Sequence, residues 1–110
     1  MTKEIQEYID KYSNQIQTLY KELRSLIFKS CKKDITEKLW AKLPSYYIGE
    51  KFVRLIPFKD HINIEASDIA NHKDELKDYK QTPKGMFQIC LNQDIPEQLL
   101  IKIFNNTLSE

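Results

Sequence analysis

The chain has 110 residues, 41% hydrophobic and 30% charged, with 17 basic against 16 acidic side chains and a formal net charge of +1. That length suits one domain, residues 1–110, with a core of its own and no need of a metal or disulfide staple. The near-neutral balance offers nothing to nucleic acid or to an acidic membrane surface, and no apolar run approaches the roughly 18 residues of a membrane span.

The first residues, MTKEIQEYIDKYSN, form an amphipathic charged segment rather than a signal peptide. Ile5, Tyr8, Ile9 and Tyr12 share one helical face, with Thr2 as the expected N-cap. The stripe resumes in phase at Ile16, Leu19, Tyr20, Leu23, Leu26 and Ile27, over residues 15 to 32. Ser13-Asn14 favours caps over interiors, and Asn14 with Gln17 has a capping-box spacing, so two helices are expected rather than one. Lys29, Lys32 and Lys33 fall near the end of the second, where cations offset the helix dipole.

Residues 35 to 43 read as a first, irregular strand that Pro44 ends or confines to an edge. Residues 45 to 48 make a short second strand. Gly49-Glu50 suits a two-residue hairpin loop with glycine first, which sets Tyr47 opposite Phe52 and Ser45 opposite Arg54. The stretch KFVRLIPFKDHINIEA, from Lys51 to Ala66, folds back at Lys59-Asp60. With Phe58 opposite His61, Leu55 meets Ile64, Val53 meets Ala66 and Arg54 meets Glu65. One face of this hairpin is then apolar: Val53, Leu55, Pro57, Ile62, Ile64 and Ala66. The other mixes Phe52, Arg54, Ile56 and Phe58 with His61, Asn63 and Glu65. That split is what a sheet with helices on one side requires.

Ser67 begins a helical segment to about Tyr79, with Asn71 as a point of interruption. Residues 81 to 85 form a loop, residues 86 to 91 alternate as a strand, and Pro96 opens a last helix buried through Leu99, Leu100, Ile103 and Phe104. The expected fold is α+β: an antiparallel sheet of four to five strands with helices packed on one face, in the order α-α-β-β-β-β-α-β-α. Cys31 and Cys90 lie far apart without CxxC spacing, which points to reduced thiols in a cytoplasmic protein.

No GxSxG, HExxH, P-loop or GxGxxG motif occurs, so the chain reads as non-enzymatic. Two constellations remain. Asp68 and His72, spaced i, i+4, would share a helix face within reach of one ion, and carboxylates with an imidazole suit iron or manganese. The interleaved Lys73, Lys77 and Lys80 suit an ordinary solvated face instead. The second constellation is the mixed face of the hairpin: Tyr47, Arg54, His61, Asn63 and Glu65 among aromatic rings, a composition fit for a small ligand or a protein partner. An Arg54–Glu65 pair at an ordinary half-exposed face is the plainer reading.

Several strings together resemble the YdhG-like family, a bacterial domain of unknown function with a branch described as a frataxin-like iron chaperone. They are Glu37-Lys38-Leu39 leading to Leu43-Pro44, Phe58-Lys59-Asp60-His61-Ile62 before a helix, Leu76-Lys77-Asp78-Tyr79-Lys80, Lys84-Gly85, and Ile95-Pro96 before a terminal helix. Together they run through most of the chain in the family's order. The chain departs from the family pattern at Ala41 and Lys42, which stand where a tyrosine and a glycine are usual. The resemblance implies iron binding and delivery to iron–sulfur assembly or haem-synthesis proteins, with no nucleic acid or membrane involved.

Overall fold

The computed structural model describes residues 1–109. Its elements are α1 (Lys3–Ile9), α2 (Asn14–Ser30), β1 (Thr36–Trp40), β2 (Leu43–Ile48), β3 (Lys51–Pro57), β4 (His61–Ala66), a 3-10 helix (Ser67–Asn71), β5 (Phe87–Cys90) and α3 (Glu97–Leu108). The sequence-based order holds throughout. The strands form one antiparallel sheet, each beside its chain neighbour, from β1 at one edge to β5 at the other. The expected central registers are present: Leu55 faces Ile64, Val53 faces Ala66 and Arg54 faces Glu65.

All the helices lie on the apolar side. Ile16, Tyr20, Leu23 and Ile27 of α2 and Leu100, Ile103 and Phe104 of α3 are fully buried with Val53, Leu55, Ile62, Ile64, Phe87 and Ile89 of the sheet. Among the described residues no helix is long and apolar enough to cross a membrane. Both cysteines are free.

A polar network ties β1 to the helices. Glu37 accepts from the Thr2 backbone N–H at 2.8 Å and from Arg24 Nε at 2.5 Å, and the Tyr20 and Tyr46 hydroxyls meet at 2.5 Å in the core beside it. Burial pushes the Glu37 carboxyl up, but the bonds from Arg24 and Thr2 outweigh it and hold the carboxyl below its ordinary range. Burial also raises both tyrosines, so their hydroxyls stay protonated.

Three local expectations need correction. The first hairpin turns at Ala41-Lys42 and not at Pro44, so residues 35 to 43 are not one strand; β1 ends at Trp40 and β2 begins at Leu43. Ala41 and Lys42 both have positive φ, 52° and 66°, as a two-residue hairpin loop of this twist demands. Pro44 sits inside β2, where β2–β3 pairing starts only at Ser45, so its missing N–H falls beyond the end of that ladder. The break between the first helices is present, but Ser13 is the cap, its Oγ accepting from the Ile16 N–H at 3.2 Å, and Gln17 Nε2 donates to the Tyr12 carbonyl. The helical segment after Ala66 is a 3-10 turn that stops at Asn71, followed by single turns such as His72 N–H to the Ile69 carbonyl and Leu76 N–H to the His72 carbonyl.

Candidate functional site

Among the described residues the helices all pack on the apolar side, and the strand registers arrange the opposite face in rows. Tyr47 lies between Thr36 and Phe52. The next row runs Lys38, Ser45, Arg54, Glu65. Trp40 and Leu43 start a third, which resumes at Ile56 and continues through Asn63 to Gln88. All five sequence-predicted binding-surface residues therefore share this face.

Their roles differ. Arg54 is only 8% exposed. Its Nε donates to Ser45 Oγ at 3.1 Å, Nη1 to Glu65 Oε1 at 3.1 Å and Nη2 to the Tyr47 hydroxyl at 3.2 Å. The guanidinium also lies 3.8 Å from the Phe52 ring centroid and 4.3 Å from that of Trp40. All three of its nitrogens and its charge are engaged within the chain, so Arg54 is the stand on which the rings rest. Tyr47 stacks on Phe52 at 5.8 Å, and the Lys38 ammonium sits 4.6 Å from the Tyr47 ring. Glu65 keeps 37% of its side chain exposed beyond the Arg54 contact.

Toward the β3–β4 turn, His61 stacks on Phe58 at 4.7 Å and bonds Asp60 through Nδ1 at 2.8 Å, so its ring is engaged by chain neighbours. Asn63 is 8% exposed, and its Oδ1 is buried without a hydrogen-bond partner. The most exposed large hydrophobic side chain on this face is Trp40, at 51%, followed by Phe58 at 42%.

Sequence reasoning missed Trp40 and Lys38, while Ser45 stands opposite Arg54 as expected. The signal was present in the alternation Thr36, Lys38, Trp40 against Glu37, Leu39, but only a turn placed at Ala41-Lys42 brings it out. A cleft of about 690 Å³ lies elsewhere, between Leu19 and Glu22 of α2 and Leu91, Asp94 and Ile95. Another of about 580 Å³ touches the face only at Phe52 and Glu65.

Asp68 and His72, the expected metal pair, do meet. His72 Nε2 lies 2.8 Å from Asp68 Oδ2, but its Nδ1 is 2.6 Å from Glu75 Oε1. Asp68 also accepts from Asn71 and from Asn106 of α3, while its backbone N–H donates to Thr107 Oγ1. The Glu75 bond foremost, with Asp68 behind it, raises the His72 pKa against the effect of burial. Burial acts to raise the Asp68 carboxyl as well, yet the bonds from Asn71, Asn106 and His72 leave it below its ordinary value. A metal ligand must be an imidazole with a free lone pair. His72 offers none in this arrangement, and among the described residues no group of three or more His, Cys, Asp or Glu side chains is placed to hold an ion. As arranged, the donor set does not fit a metal.

No curated protein and no solved structure matches the chain. A family model described as a domain of unknown function (DUF5655) matches residues 5–103, which takes in the open sheet face and Asp68, His72 and Glu75, while Asn106 and Thr107 lie just past it. The chain belongs to that family.

Proposed function

We propose that the chain is a non-enzymatic interaction module that seats a protein partner on the uncovered face of its sheet. The observation that carries this reading is Trp40, half exposed yet propped against a guanidinium that is itself held by hydrogen bonds to Ser45, Tyr47 and Glu65. An exposed aromatic ring already held in place loses little conformational freedom on binding, and Trp, Tyr and Arg are the residues that dominate interface energetics. The clefts lie off the middle of this face, which favours a protein surface over a small ligand. Affinity capture on immobilised chain tests the reading. A partner held by the wild type should be lost on Trp40→Ala and kept on Glu4→Ala/Glu7→Ala, which alters only α1. Equal capture by both variants, or none by the wild type, sinks it.

The resemblance to YdhG-like iron chaperones supports a second reading, iron carriage toward iron–sulfur or haem assembly, and the 2.8 Å approach of Asp68 to His72 is its one structural support. Loading there requires His72 to shed one of its carboxylate bonds. Anaerobic titration with ferrous iron decides it: saturable binding tighter than about millimolar that disappears in Asp68→Ala/His72→Ala supports carriage, and its absence removes that reading.

A further inference from the structure

We infer that the partner seated on the open face is a second copy of this chain, docked face to face about a two-fold axis that runs along the strands between β2 and β3. This rests on the interaction-face reading above. A two-fold axis makes an interface self-complementary: what residue i meets, residue i also supplies. The rows of this face have that property.

In the row Lys38, Ser45, Arg54, Glu65, opposite charges stand at the two ends, and the Ser45–Arg54 pair lies at the middle. Rotation about an axis between β2 and β3 places Lys38 over Glu65 of the second copy, and Glu65 over its Lys38. The same rotation sets Tyr47 over Phe52, joining two stacked ring pairs into a cluster of four. It sets Leu43 over Ile56, and Trp40 over Asn63. The charge match at both ends of one row and the ring match in the next therefore follow from one axis.

Sheets packed in this way lie about 10 Å apart with strands nearly aligned, as in a sandwich. Five strands spaced about 4.8 Å apart give a face roughly 20 Å wide. With strands about 20 Å long the face offers on the order of 400 Å², about half of a standard interface of ~800 Å² per partner, so the geometry supports a reversible dimer rather than an obligate one.

Sedimentation velocity on the full chain from about 1 µM to about 1 mM tests this. The wild type should pass reversibly from monomer to dimer. Lys38→Glu should weaken the dimer at least tenfold, since it faces two like charges at both ends of the interface. Glu65→Lys should do the same, and an equimolar mixture of these two variants should dimerise as well as the wild type, because each mixed pair restores opposite charges. Glu65 also bonds Arg54, so a fold defect in Glu65→Lys is handled by a second measurement on the wild type. On dilution, NMR shifts of the Trp40 indole N–H and the Asn63 side-chain amide should move together, with the α1 amides still. A wild type monomeric to 1 mM overturns the self-association, and if Trp40-dependent capture persists then the interaction face itself stands. A dimer indifferent to Lys38→Glu, folded variants that fail to rescue each other, or dilution shifts confined to other surfaces also overturn it.

Discussion

His72 is enclosed by carboxylates on both sides. A neutral imidazole carries one N–H, so it can serve Asp68 or Glu75 but not both, and only the imidazolium satisfies the arrangement. The folded chain accordingly holds this proton more tightly than the unfolded one. Its contribution to stability is complete below the ordinary imidazole value of 6.5 and fades as pH rises through the higher folded value. Asp68 works in the opposite sense: its folded pKa is depressed, so its contribution is present above the ordinary 3.8 and is lost as pH falls through the folded value. The urea midpoint of the wild type should therefore decline from pH 6.5 toward 9, and that decline should be shallower in His72→Gln, which keeps one donor and one acceptor at every pH. An identical slope in both proteins would dismiss His72 as its source. Little of this was legible beforehand. The Asp68–His72 spacing was, but the approach of Asn106 and Thr107 comes from residues nearly forty positions away, and Glu75 joins only because the 3-10 helix gives way to turns at Asn71.

At the scale of elements, the β1–β2 hairpin shows why the sequence was harder to read than the hairpins that follow. Gly49 marks its own turn at φ 61°, and the β3–β4 stretch announces itself by alternation on both sides. Ala41-Lys42 has no turn residue, so Pro44 draws the eye three positions too late. The structure nevertheless puts both residues in the left-handed region, which side chains with a Cβ enter at a cost of roughly 1 kcal/mol each. Lys42→Gly should relieve that cost and raise stability by about 1 kcal/mol, seen as a higher urea midpoint at unchanged m-value. A lower midpoint would mean that the Lys42 side chain contributes more than its backbone loses. The helix pair at Ser13-Asn14 was ambiguous for another reason: either residue can cap, and the choice is settled by which N–H groups its side chain reaches.

At the scale of the molecule, the layer order was legible because apolar and mixed positions alternate cleanly through β3 and β4 and because α2 and α3 are striped on one side. The open face was legible in outline for the same reason. Its working parts were not, because a one-dimensional reading treats Arg54 as an exposed charge when it is enclosed by Ser45, Tyr47, Glu65, Phe52 and Trp40 from three other strands and its own. The polar anchor of Glu37 between Thr2 and Arg24 was likewise hidden, since it joins the start of α1, the middle of α2 and an edge strand.

The meander from β1 to β5 has a kinetic consequence. Every ladder closes on the segment just before it, so hairpins can zip up one after another at small entropic expense, and only the crossing from β4 to β5 spans a longer excursion. The slow event is then the return of the last helix, whose Asn105 side chain must find the Ser30 carbonyl 75 residues upstream. Until that closure the greasy side of the sheet is covered only by the helices that precede it, and a nascent or refolding chain passes through an interval in which the part that α3 covers is bare.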